Sequence, residues 1–182
     1  MYGDIDRILI DRDSIADRVE QLGTQLVGDL GGVADAGNLI VVPVMTGSLF
    51  FTADLVRQLP LAFRIQPITI SSYPGRSTSS QGIVDQSPLP PGISGSTVLI
   101  VDDILDSGRT LGHLDTMLRQ AGAADVRFCV LLRKDTARAV EVDCNYVGFD
   151  IPETFVVGYG LDYDGLYRNI PDIAVLRSSA IE

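Results

Sequence analysis

Val98-Leu99-Ile100-Val101-Asp102-Asp103-Ile104-Leu105-Asp106-Ser107-Gly108-Arg109-Thr110 is the stretch from which the rest of the chain can be placed. Its apolar start, Thr97 to Val101, is a short unbroken run rich in β-branched residues, the pattern of a strand buried on both faces of a parallel sheet. Ligands of open parallel α/β sheets bind beyond the carboxyl ends of the strands, which is where Asp102 and Asp103 stand. Two adjacent carboxylates can accept hydrogen bonds from a sugar diol, or sit beside a hard cation and its waters. The turn that follows, Asp106 to Thr110, is rich in hydroxyls and opens a helix over residues 108–120, with Leu111, Leu114 and Leu118 on one side. Its N–H groups and helix dipole suit a phosphate monoester; Gly108 permits close approach, and Ser107 and Thr110 add hydroxyl donors. Alone, the five residues are an ordinary helix cap. Strand, acidic pair and turn together point to a phosphorylated sugar.

Working outward, Leu39 to Val44 is a second buried strand, and the turn Met45 to Ser48 opens a helix over residues 49–59. Residues 61–71 form another strand, in which Pro67 marks an edge or a bulge. Val126 to Leu132 is a further strand. Ahead of them, Ile15, Val19, Leu22, Leu26 and Leu30 recur three or four apart, which predicts an amphipathic helix from Ser14 to Leu30. Ser14 with Asp17 resembles a capping box at its start, and Gly31-Gly32 ends it. This alternation predicts right-handed βαβ units around a parallel sheet. Residues 71–91 are crowded with Ser, Gly, Pro and Thr and are expected to be a long mobile loop. The last forty residues hold short apolar pieces, YVGF, FVVGYGL and IAVL, expected to form a small subdomain from about residue 145. One domain over 1–182 is the expectation, without internal repeats.

The balance of 46% hydrophobic to 21% charged residues is that of a globular protein. Fourteen basic against twenty-four acidic residues give a net charge of -10, which disfavours nonspecific attraction to nucleic acid or anionic membranes. Any phosphate must therefore be held locally. Cys129 and Cys144 form no metal-binding pattern and are expected as buried thiols. His113, the single histidine, offers no acid–base constellation and is expected on a helix surface or half-buried. The acidic N-terminus lacks a long apolar core, so neither a signal nor a transit peptide is expected there. No apolar run approaches membrane-spanning length, so a cytoplasmic protein is expected.

VLIVDDILDSGRT resembles the ribose-phosphate motif of the type I phosphoribosyltransferases. Arg133-Lys134-Asp135, Tyr146 to Pro152, Phe155 to Tyr163 and Tyr167 to Pro171 resemble, in order, the base-binding half of the hypoxanthine-guanine phosphoribosyltransferases. The likeness runs from about Val41 to Leu176. It implies an α/β fold with a parallel-sheet core flanked by helices, a small C-terminal hood and a mobile loop. It also implies magnesium-dependent transfer of 5-phosphoribosyl from phosphoribosyl pyrophosphate to a 6-oxopurine, giving IMP or GMP, by a homodimer or homotetramer.

Carried over residue by residue, the resemblance makes Asp106 the general base for the purine N7 proton. Asp102 and Asp103 serve ribose and metal, and Asp106, Ser107, Gly108, Arg109 and Thr110 the ribose 5′-phosphate. Lys134 donates to the 6-oxo group, Phe155 stacks on the base, and Val156 reads its edge through backbone groups. Asp162, in the same base-binding segment, is a ligand of a second magnesium, and Arg168 contacts pyrophosphate. Thr46 and Gly47, followed by Ser48, occupy the pyrophosphate turn, where the family commonly has Lys in place of Thr46 and a cis peptide at Met45-Thr46. Ser72 and Tyr73 begin the mobile loop, with Pro74 where Gly is common. Outside these motifs, a lysine ending a strand is usually solvated, and an aromatic in an apolar run usually belongs to the core. Two other readings share the motifs: preference for xanthine or another base, and an RNA-binding regulator on the same fold. The acidic charge argues against the second.

Overall fold

The computed structural model describes residues 2–71, 84–85, 87–135 and 140–181. In chain order the elements are β1 (Ile5–Ile10), α1 (Arg12–Asp35), β2 (Leu39–Met45), α2 (Leu49–Arg57), β3 (Arg64–Ile65), β4 (Ile68–Ser71) and β5 (Val84–Asp85). They continue with β6 (Thr97–Leu105), α3 (Arg109–Gln120), β7 (Asp125–Lys134), β8 (Tyr146–Ile151), β9 (Val156–Val157) and β10 (Ile173–Leu176). The large sheet has the order β5-β4-β2-β6-β7-β8, with β3 also paired to β2. All its pairings are parallel except β4 with β5.

The unbroken apolar strands serve two cores at once, because successive side chains of a strand point to opposite faces. Leu39, Val41, Leu99, Val101, Cys129 and Leu131 pack with α1 and α2. Their neighbours Ile40, Val42, Val98, Ile100, Phe128 and Val130 pack on the other face with Leu111, Leu114 and Leu118 of α3. The stripe Ile15, Val19, Leu22, Leu26 and Leu30 is buried as its spacing predicts. Each such side chain stabilises the fold by roughly 1.5–3 kcal/mol.

The helix ends differ from the expectation. Asp11, not Ser14, is the N-cap of α1, and its carboxylate accepts from the Ser14 N–H at 2.8 Å. At the other end α1 continues through Gly31-Gly32 to Asp35, because Ala34 extends the buried row of Leu26 and Leu30 by one more turn. Gly37, with φ of 73°, then follows the helix. The strand expected over 61–71 is split into β3 and β4 around Gln66-Pro67, opposite Pro43 of β2.

Two strands also outrun their apolar cores. β6 continues past Val101 to Leu105, and β7 begins at Asp125 and ends at Lys134, since the ladder between them holds from Thr97↔Asp125 to Leu105↔Arg133. Asp102, Asp103 and Lys134 are therefore strand residues.

Nor do the last forty residues form a separate unit. Tyr146–Ile151 joins the large sheet as β8, parallel to β7. Arg18 of α1 covers this edge by donating to Gly148 O at 2.8 Å and Val147 O at 2.7 Å. A second, antiparallel sheet consists of β9, β10 and the N-terminal β1. Asp172 fastens it to the main body by accepting the Arg12 N–H at 2.8 Å. The loop expected over 71–91 starts at the β4–β5 pairing, and Ser72, Tyr73 and Pro74 lie outside the described residues.

Cys129 is buried, whereas Cys144 is half-buried, its thiol donating to the Phe128 and Tyr146 carbonyls; burial pushes it up to about 11. His113 is half-buried on α3. No helix among the described residues is long and apolar enough to cross a membrane. The cap assignment is checked by thermal unfolding, where Asp11→Ala should lower Tm more than Ser14→Ala.

Candidate active site

Asp102 is 6% exposed at the upper end of β6, where its Oδ1 accepts the Asp103 N–H at 3.0 Å. Asp103 Oδ1 accepts the Ile104 N–H at 2.8 Å. Burial, together with the adjacent Asp103 charge, pushes the Asp102 carboxyl well above the ordinary carboxylate range. Burial raises Asp103 too, opposed by its hydrogen bonds and by the charge of Arg168. The turn after β2 lies directly on this pair: a Cβ added to Gly47 would collide with Asp103 Oδ2. The Met45-Thr46 peptide of that turn is cis, as the family resemblance implies. Ser48 is buried and donates to Val44 O at 2.7 Å, while Thr46 is exposed and its carbonyl accepts from Leu49 N–H at 3.2 Å. The Gly47 amide has no acceptor among the described residues.

One residue beyond the last ladder pair, Leu105↔Arg133, come Asp106 and Lys134. Lys134 Nζ donates to Asp106 Oδ2 at 2.8 Å. The ammonium side is 15% exposed and the carboxylate side 53%, so the pair opens to solvent from the Asp106 side. Asp106 is not the cap of α3. Gly108 holds that position, with φ of 76° and no side-chain cap bond. Ser107 and Gly108 are backed by Val140, whose N–H donates to Ser107 O at 3.1 Å and whose carbonyl occupies the space a Cβ on Gly108 would need. Arg109 begins α3 with its side chain exposed, and Thr110 is half-buried. Lys134 also lines a cleft of ≈ 600 Å³ with Asp135, Ile151, Pro152 and the forked pair of Arg133 with Asp150.

Phe155 to Leu161 follow β8 in the chain. Phe155 is 43% exposed, with its ring edge-on to Tyr163 at 5.6 Å, and Val156 is buried in β9 opposite Val175. Gly158 and Leu161 exchange N–H···O bonds of 3.0 Å around a tight turn, with Tyr159 and Gly160 both at positive φ at its tip. A Cβ on Gly160 would collide with Gly47 O, so this turn seats on the Thr46–Ser48 turn. Arg168 donates to Gly160 O at 2.5 Å and pairs with Asp162 at 2.7 Å; Asp162 also accepts the Gly165 N–H.

The structure thus brings Asp106 to Lys134, Gly47 to Asp103, and Arg168 to Asp162. It does not bring Asp162 to Asp102 and Asp103, and no group of three or more acidic, His or Cys residues that could hold a metal occurs among the described residues. Sequence reasoning missed Gly160, Tyr159 and Val140. Only the alternation Gly158-Tyr159-Gly160 carried a usable signal, that of a turn needing positive φ.

Residues 9–164 match the family described as phosphoribosyl transferase domain. The chain is 43% identical to the hypoxanthine-guanine phosphoribosyltransferase of Mycobacterium avium, covering 96% of this chain and 87% of that protein. It is 40% identical to the enzyme of the same name from Streptococcus pneumoniae, covering 97% and 96%. The chain belongs to the hypoxanthine-guanine phosphoribosyltransferases. A crystal structure of a hypoxanthine phosphoribosyltransferase from Staphylococcus aureus agrees in fold, with a TM-score of 0.92 at 33% identity over 100% of this chain and 97% of that one. As a hypoxanthine-guanine phosphoribosyltransferase, the chain is a transferase of purine salvage.

In this phosphoribosyltransferase the buried acid pair has a consequence for stability. An acid whose pKa folding raises binds its proton more tightly folded than unfolded. The stability this confers is present below the unfolded value, near 3.8, and fades as pH rises through the folded one. Asp102→Asn, which keeps the acceptor for Asp103 N–H, should therefore raise the urea midpoint at pH 7, and the gain should shrink towards pH 4.

Proposed function

We propose that the chain is a cytoplasmic, magnesium-dependent enzyme that transfers 5-phosphoribosyl from phosphoribosyl pyrophosphate to hypoxanthine or guanine. The observation that carries this reading is the Lys134–Asp106 pair at 2.8 Å. A 6-oxopurine protonated at N7 presents an acceptor, O6, beside a donor, N7–H. Lys134 is a pure donor and Asp106 a pure acceptor, so the base matches the pair group for group. A 6-amino purine would point a donor at an ammonium. Purine binding separates the two side chains, giving Lys134 to O6 and Asp106 to N7–H.

In the reaction, N9 bonds to the anomeric carbon as the bond to pyrophosphate breaks, and Asp106 takes the N7 proton. Its charge also stabilises the positive character that develops on the sugar. Phe155 offers its exposed ring to the base, and Val156 its backbone. The N-terminal turn of α3, Ser107 to Thr110, with Arg109 at the helix start, holds the 5′-phosphate. Gly47 N–H and Arg168 hold pyrophosphate, and the Thr46 side chain takes no necessary part, because the turn binds through its backbone. Ser72 and Tyr73 begin the loop that closes over the reaction and keeps water out.

The donor set suits magnesium, which takes one or two carboxylates and completes its shell with water and substrate phosphates. Asp102 and Asp103 would hold one ion beside the ribose and Asp162 another. Such ions would supply charge neutralisation for the departing pyrophosphate. We infer further that the enzyme is a homodimer or homotetramer, with Leu49 and Phe50, 42% and 40% exposed on α2, offering apolar surface.

Purified protein given phosphoribosyl pyrophosphate, magnesium and either hypoxanthine or guanine should release pyrophosphate; no turnover with either base would sink the reading. A panel including xanthine and adenine ranks the bases by kcat/KM. Asp106→Asn should lower kcat by about 10²- to 10⁴-fold while phosphoribosyl pyrophosphate binding changes only a few-fold. Equal losses in both would limit Asp106 to binding. Lys134→Gln should narrow the preference for hypoxanthine over adenine, measured as the ratio of their kcat/KM values.

A further inference from the structure

The turn at Gly158–Leu161 reaches further than the site needs for its own closure. At its tip Tyr159 sits at φ of 48°, held by its N–H to Ile170 O at 2.7 Å. From there its side chain crosses to α2, where the hydroxyl donates to Asp54 Oδ2 at 2.7 Å and the ring lies 6.4 Å from that of Phe50. Asp54 Oδ1 is paired with Arg57 at 3.4 Å, so its carboxylate is held from both ends. Burial and this carboxylate keep the phenol firmly protonated and donating.

α2 begins directly after the Thr46–Ser48 turn, so Tyr159 grips the element on which that turn is mounted. Its neighbour Gly160 touches Gly47 O on one side and accepts from Arg168 on the other. The distance between Gly47 N–H and the Arg168 guanidinium is thus set by how the Gly158–Leu161 turn seats on α2. The base-binding residues are held otherwise, Val156 by its pairing with β10 and Lys134 within β7.

We propose that Tyr159 is a positioning residue whose hydrogen bond to Asp54 sets the spacing between the two pyrophosphate-binding elements, leaving the purine site untouched. This rests on the phosphoribosyl transfer proposed above. A bound group gripped from two sides loses affinity when the grips are misplaced, even though each remains intact.

Tyr159→Phe keeps the ring against Phe50 and removes only the hydroxyl. It should raise KM for phosphoribosyl pyrophosphate, and for pyrophosphate in the reverse reaction, by about fivefold or more, the effect of one lost hydrogen bond to a charged group. KM for hypoxanthine should stay within about twofold. Asp54→Ala, which removes the acceptor, should do the same, and the double variant should be no worse than either single one. Unchanged KM values, a rise in both substrates together, or losses that multiply in the double variant would each overturn the proposal. Should Asp54→Ala fail to fold, Tyr159→Phe decides alone. Absence of turnover in the unaltered protein would instead overturn phosphoribosyl transfer itself, and this inference with it.

Discussion

The parallel ladder between β6 and β7 is the constraint on which the site depends. Its pairs run from Thr97↔Asp125 to Leu105↔Arg133, beyond the point where the apolar sequence of β6 gives way to acids. Had pairing stopped at Val101, the backbone after Asp102 would be free to splay, and nothing would hold Asp106 against Lys134. A parallel ladder persists only when both faces are covered. α1 and α2 cover one face through Leu99 and Val101, and α3 covers the other through Val98 and Ile100. The chemistry at the end of the strands therefore draws its geometry from two cores that it never touches.

Around that ladder the site is assembled by close approach of backbone. Asp103, Gly47 and Gly160 are stacked so tightly that a Cβ on either glycine would strike its neighbour. Glycine serves here by leaving out a side chain, and at Gly160, with φ of 107°, it also supplies the backbone conformation. The result is one contact chain from the acidic strand end, through the turn after β2, to the Arg168–Asp162 pair. A site built on strands and helix ends is more exact than one built on free loops.

Much of the fold was legible because periodicity reports burial. The runs at 39–44, 97–101 and 126–132 and the α1 stripe are buried where their spacing places them. Element ends were less legible, since Asp11 and Ser14 are both good caps and only the folded backbone selects one. β1 was missed because Ile5–Ile10 alternates poorly and pairs with a partner more than 160 residues away in sequence. In the site, residue types flagged Asp102, Asp103, Asp106 and Lys134, yet the 2.8 Å pairing of the last two depends on register, which no local pattern encodes. The Tyr159–Asp54 bond spans 105 residues and joins two elements whose sequences give no hint of each other.

A chain with a net charge of -10 must hold a polyanionic substrate, and the arrangement of its charges shows how this can be done. Long-range attraction is unfavourable, so attraction has to come from donors placed within contact distance, the role proposed for the α3 N-terminus, the Gly47 amide and Arg168. Lys134 and Arg168 are each paired with a carboxylate, Lys134 with Asp106 and Arg168 with Asp162. Asp102 and Asp103 have no ion pair among the described residues, and burial drives both towards the protonated form. Burying the pair therefore opposes folding at neutral pH.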